Sequence, residues 1–167
     1  WSSAGDVLFA SCVFDDADTC LRDSVAAAYG ELLQLIKAQD CSHILRMWNY
    51  LPHINQGKGD AERYQQFCLG RATAFAEHGF SGEAYPAACA LRHQGRYSIV
   101  YLLATTAPAT HIENTRQLSA YQYPRQYGPA SPSFARASLI DWQPDFAELY
   151  VSGTASIVGH TSCHAGD

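Results

Sequence analysis

Apolar and polar residues follow two rhythms along this chain, one with a period near two and one near 3.6. The places where the rhythm switches predict the elements. Residues 6–14, DVLFASCVF, form an apolar run with a β-branched bias and predict a strand. DDAD follows, with Asp18 or Thr19 expected as a helix cap. From Leu21 onward, Val25, Ala28, Tyr29, Leu32, Leu33 and Ile36 recur at helical spacing, predicting an amphipathic helix to about Ala38. HILRMWNYLPHI is too aromatic and too closely bounded by proline for another helix, and predicts a strand ending near Pro52. NQGKGD predicts a loop. Asp60 is expected to cap a second helix, in which Tyr64, Phe67, Cys68, Arg71 and Phe75 share one side until Gly79 stops it.

Beyond it, AYPAACALRH and YSIVYLLATT, split by Gln94-Gly95, predict a strand pair. APATHIEN predicts a connector, and residues 117–139 are mostly extended. FARASLI and ELYVSGTASIV predict two closing strands joined by DWQPDF. The order is β-α-β-α-β-β, an extended segment, then β-β. Two helices against a mixed sheet predict an α+β sandwich.

Composition narrows the class. With 47% hydrophobic and 16% charged residues, the 167-residue chain is not intrinsically disordered, and it is long enough for one buried core. It lacks an apolar run of the ~18 residues a spanning helix needs, and its opening residues lack a signal pattern. A soluble, cytoplasmic protein that binds no membrane is expected. The net charge of −5 weighs against a nucleic-acid binder, yet leaves room for an anionic small molecule held by local arginines. Cys12, Cys20, Cys41, Cys68, Cys89 and Cys163 are expected as buried free thiols of a reducing compartment. His160, Cys163 and His164 have ligand-like spacing but no second ligand pair, so neither metal nor cofactor is expected.

Candidate chemistry concentrates in QLSAYQYPRQYGPASPSFARASL, which has more tyrosine and arginine than a linker needs. Arg125 and Arg136 suit carboxylates, because guanidinium forks match carboxylate geometry. Tyr123 and Tyr127 offer flat faces and hydroxyls for a ring. Gly153, Thr154 and Ser156, in a Ser-Gly element, would let backbone approach a ligand. Elsewhere the bland reading prevails. Strand alternation should turn two of Trp48, Asn49, Tyr50 and His53 into the core. His43 and His111 lack a partner at catalytic spacing, Cys89 sits on a predicted core strand, and NQGKGD lacks the context of a phosphate loop.

The block 6–105 resembles the YjgF/RidA superfamily, also called endoribonuclease L-PSP, which implies a chorismate-mutase-like sandwich: a mixed β-sheet with two helices packed on one face. GDVLFASCVFDD and AELYVSGTASIVG echo one another and would occupy the same slot in such units. More narrowly, RMWNYLPHIN, GDAERYQQFCLGRATAF, YPRQYGPASPSFARA and LYVSGTASIVGH are similar to the chorismatase family, two fused YjgF-like units once described as pteridine-dependent dioxygenases. That resemblance implies cleavage of chorismate to pyruvate plus a cyclohexadiene or hydroxybenzoate acid. The family is about twice as long, and its proposed catalytic glutamate would fall past Asp167, so no catalytic residue is assigned.

The expectation is a truncated chorismatase-like binder of chorismate or a hydroxybenzoate, held by Tyr123, Arg125, Tyr127, Arg136, Gly153, Thr154 and Ser156. Residues 1–106 would form one unit and 107–133 a connector. Residues 134–167 would begin a second unit or complete the first by permutation. A lone unit of this kind implies a homotrimer. The alternatives are an imine deaminase, an endoribonuclease or a non-catalytic binding unit. The deaminase resemblance fails where its Pro-Ala-Arg motif reads Pro86-Ala87-Ala88, and YSIVYLLA carries no acid.

Overall fold

A computed structural model describes residues 1–17 and 19–164. It contains α1 (Leu21–Ala38), α2 (Arg63–Glu77) and ten strands: β1 (Ser2–Ala4), β2 (Val7–Phe14), β3 (His43–Pro52), β4 (Ala87–His93), β5 (Ser98–Thr105), β6 (Thr110–Ile112), β7 (Ala137–Gln143), β8 (Phe146–Val151), β9 (Ile157–Val158) and β10 (Thr161–Ser162). No helix among the described residues is long and apolar enough to cross a membrane.

Both helices follow their apolar stripes, but their starts differ from expectation. Cys20 is the N-cap of α1 and makes no side-chain cap bond. Thr19 Oγ1 instead pairs with Ser24 Oγ at 2.6 Å, while Asp18 lies outside the described residues. Asp60 does not cap α2 either. It sits in a single 3-10 turn, Glu62 takes the cap position, and the Asp60 carboxylate is drawn away by Arg125. The end of α2 is as expected: Gly79 takes φ +81, and Phe80 N–H returns to the Phe75 carbonyl at 2.8 Å.

Five strands form one sheet in the order β1-β2-β5-β3-β4, antiparallel except for the β3–β4 pair. The expected pairing of β4 with β5 is therefore corrected, because β5 lies between β2 and β3, and β4 takes the far side of β3. The strand with most to bury takes the middle: Val100, Leu102 and Ala104 are fully buried, and Ile99, Tyr101 and Leu103 are half-buried. Under the helices, Leu8, Ala10, Ile44, Met47, Leu51 and Leu102 meet Val25, Tyr29 and Leu33 of α1 and Phe67 and Phe75 of α2 in one core. At a bulge between Ile44 and Arg46, Ile44 and Leu45 are both buried in succession. On the opposite face Trp48 and Tyr50 stack on Tyr101 at 5.0 and 5.9 Å, beside Phe9 and Val13, which are 39% and 59% exposed.

The C-terminal third builds a second sheet, β6-β7-β8, all antiparallel. APATHIEN, expected as a plain connector, supplies its edge strand β6. ELYVSGTASIV is not one strand: β8 stops at Val151, and Ile157 begins a separate ribbon with β10. The break has a physical cause, since Ser152 and Gly153 turn to serve β4. Ala87 N–H donates to Ser138 Oγ at 2.9 Å and Ala88 N–H to Ser152 Oγ at 2.8 Å. Gly153 N–H donates to the Ala88 carbonyl at 3.2 Å. Two serine hydroxyls thus satisfy edge-strand amides that another strand would otherwise pair. Ser138 also meets His111 Nδ1 at 2.9 Å. Burial pushes the His111 imidazole down, which keeps it neutral and able to accept the Ser138 proton.

All six cysteines are free; Cys41 and Cys68 are buried, but Cys20 is exposed, against the expectation of uniform burial.

Candidate functional site

Where β4 runs past α2 and meets the second sheet through Ser138 and Ser152, a seam between the two, residues from 123–136 and 153–157 roof a cavity of about 620 Å³. Tyr64 and Arg71 come to it from α2, Cys89 and Arg92 from β4, and Tyr123, Phe134, Arg136, Gly153 and Thr154 from the C-terminal third.

Arg136 is its best-organised group. Only 8% exposed, it precedes β7, where Phe134 and Tyr123 flank its guanidinium with ring centres at 5.1 and 5.9 Å. It donates to the Leu118 carbonyl at 3.0 Å, to the Tyr123 hydroxyl at 3.1 Å and, more loosely, to Thr154 Oγ1 at 3.5 Å, while Nε has no partner. These neutral acceptors fix the fork without cancelling its charge. Glu113 is the nearby acid: burial pushes its carboxyl up, against the pull of Ser119 and Arg136. Gly153 permits the close approach of the roof, since a Cβ there would lie 3.0 Å from that of Cys89.

The structure thus brings Tyr123, Arg136, Gly153 and Thr154 together and leaves three expected site residues outside the lining. Arg125 makes a bidentate pair with Asp60, at 3.0 and 2.5 Å, in the open at 67% side-chain exposure. This pair holds the Asp60 carboxylate away from the start of α2, which accounts for the missing cap. Tyr127 stands behind Tyr123, ring centres 5.4 Å apart, and its hydroxyl meets His160 Nδ1 at 3.0 Å. Ser156 gives its carbonyl to Cys163 N–H at 2.7 Å.

Sequence reading missed Arg71, Tyr64, Phe134 and Arg92. The available signal was Arg71 itself, a cation on the buried side of an amphipathic helix. Of the strand candidates, only Asn49 turns into the core, rather than two. It accepts from Tyr29 Oη at 2.6 Å and donates to the Cys89 carbonyl at 2.8 Å. Trp48 and Tyr50 belong to the open aromatic face, and His53 occupies a turn at φ +51. Among the described residues no aspartate or glutamate lines the cavity, so its chemistry is cationic and aromatic.

Comparison with known proteins identifies the family. A family model, "Chorismatase FkbO/Hyg5-like, N-terminal", matches residues 1–104. A 3-hydroxybenzoate synthase of Streptomyces hygroscopicus is 38% identical over 150 residues, covering 87% of this chain and 44% of that protein. A chorismatase of Streptomyces rapamycinicus is 34% identical over 170 residues, covering 100% of this chain and 51% of that protein. The crystal structure of a chorismatase superposes with a TM-score of 0.90 at 34% identity, covering 100% of this chain and 50% of that one. The chain spans about half the length of these relatives. With a family match over more than half its residues and a matching fold, the chain belongs to the FkbO/Hyg5-like chorismatase family, in its N-terminal part.

Proposed function

We propose that the cavity binds a ring carboxylate of the chorismate or hydroxybenzoate class, with Arg136 as the carboxylate receptor and Tyr123 and Phe134 as its aromatic walls. The observation that carries this reading is the Arg136 guanidinium, held in the lining by neutral acceptors and engaged in no ion pair among the described residues. The names of the relatives supply the ligand class. The chain alone binds without cleaving, because breaking an enol ether needs a placed acid and the described cavity lining has none.

Calorimetric titration with chorismate and 3-hydroxybenzoate, alongside a pyruvate-release assay, tests this. The chain should bind chorismate and release no pyruvate. Arg136→Met should weaken binding about tenfold or more, the value of one charge-assisted contact. Arg125→Met should leave affinity unchanged, since Asp60 already holds that side chain. Equal losses in both variants would refute the assignment.

The strand–helix order and the two helices on one sheet face support a YjgF/RidA-type unit. Deaminase or nuclease chemistry of that superfamily has no such support, as Pro86-Ala87-Ala88 lacks the arginine its carboxylate clamp would need. The open face of Phe9, Val13, Trp48, Tyr50 and Tyr101 supports self-association as a homotrimer. Light scattering after size exclusion should then give three times the 18.3 kDa chain mass, and a clean monomer would exclude it.

A further inference from the structure

Hydrogen bonds on both sides of Arg136 stitch β4 to the second sheet. Ala135 N–H donates to the Pro86 carbonyl at 3.0 Å, and Ala87 N–H donates to Ser138 Oγ at 2.9 Å. Arg136 lies between these ties, so the seam fixes the backbone from which its guanidinium enters the cavity. Ser138 and Ser152 both accept a β4 amide, but they differ in where their own proton goes. Ser152 Oγ donates to the Ala135 carbonyl at 2.5 Å, an acceptor that does not titrate. Ser138 is fully buried and pairs with His111 Nδ1 at 2.9 Å, an acceptor only while the imidazole is neutral.

Protonation turns Nδ1 into a donor. The hydroxyl proton must then point into a dry place where Ser138 has no other bonded acceptor, and the imidazolium competes with Ala87 N–H for one oxygen. The surroundings of His111 oppose such a charge: burial acts first, and His43, at the start of β3, adds a repulsion. Glu113, two residues on, faces Ser119 and Arg136 instead. We propose that His111 is a positioning residue for Arg136: as acceptor of the Ser138 hydroxyl it holds the tie between β4 and β7, and on taking up a proton it releases that tie and loosens the cavity roof. Because the folded imidazole titrates below the ordinary 6.5, the unfolded chain takes up this proton first. The seam therefore contributes fully above about pH 6.5 and loses its contribution as pH falls through the folded value. Protonation of Glu113 acts in the opposite sense on a ligand, since it frees more of the Arg136 field. The effect on ligand rests on the carboxylate reading of the cavity; the effect on the seam does not.

The test follows seam and ligand separately on the intact chain. Between about pH 7.5 and 5.5, hydrogen-exchange protection of the Ala87 amide, corrected for intrinsic rate, should fall about tenfold, while Ala88 keeps its protection. The melting point should drop by roughly 3 °C. The affinity for 3-hydroxybenzoate, whose carboxylate stays ionised over that range, should weaken about fivefold. His111→Ala, which removes the acceptor, should show the weak, acid-state affinity at both pH values. His111→Asn restores an acceptor that takes up no proton, and should recover most of the affinity and lose the pH dependence. Joint loss of protection at Ala87 and Ala88 would overturn the proposal, because the seam would then be yielding as a whole. An asparagine variant that keeps the parent's pH profile, or binds no better than the alanine variant, would overturn it too. If 3-hydroxybenzoate binds at neither pH while Ala87 alone loses protection, the carboxylate reading falls and the switch in the seam stands.

Discussion

Gly70→Val is expected to leave no cooperatively folded chain, and Gly70→Ala to lose about 2 kcal/mol of stability. Gly70 lies in α2 where it crosses α1, and a Cβ built there would stand 2.2 Å from the Arg22 carbonyl oxygen and 2.9 Å from Val25 Cβ. The first contact is backbone and cannot swing aside, so the helices must part. Parting them unmeshes Tyr29 from Phe67 and Phe75, whose ring centres lie 6.2 and 5.6 Å away. Helix propensity acts in the opposite direction, favouring alanine over glycine by about 1 kcal/mol. The sign of the change therefore decides which effect wins. Urea unfolding followed at 222 nm measures it, and an alanine variant more stable than the parent would show that the crossing is loose.

The second large effect is expected at Asn49, where alanine should cost about 3 kcal/mol. Asn49 is fully buried and joins α1 to the outer strand pair by accepting from Tyr29 and donating to Cys89. Its removal leaves the Tyr29 hydroxyl proton without its acceptor and the Cys89 carbonyl without its amide donor, losses of about 1–3 kcal/mol each when dry. Tyr29→Phe alone should lose about 1–2 kcal/mol, since it breaks the bond to Asn49 and the contact with Arg71. The double variant should lose less than the sum, because the hydroxyl orphaned by the first change no longer exists. Strict additivity in thermal unfolding would show that the two side chains do not interact.

Legibility from sequence followed the range of the interaction involved. The helix interiors were readable because Val25, Tyr29, Leu33 and Ile36, and then Phe67, Arg71 and Phe75, encode their burial locally. The strand interiors were readable for the same reason. Strand neighbours were not: Gln94-Gly95 looks like a hairpin, and only the competition of β2 and β3 for the most apolar strand overrides it. Caps failed where a distant partner outbid the local one, as Arg125 does for Asp60 across 65 residues. The site divided in the same way. Arg136, Tyr123, Gly153 and Thr154 share the lining because the seam to β4 folds their segment over it. Arg71 was visible as an anomaly, but the roof of the cavity above it comes from residues more than 50 positions later.

The central place of β5 has a consequence for biosynthesis. β2 and β3 leave the ribosome long before Ser98–Thr105, and neither can bond to the other without that strand between them. Until it emerges, the nascent polypeptide can pack its helices against one another but cannot close its sheet. Emergence of residue 105 from the ribosome is therefore the event that converts a loose hydrophobic assembly into a cooperative body.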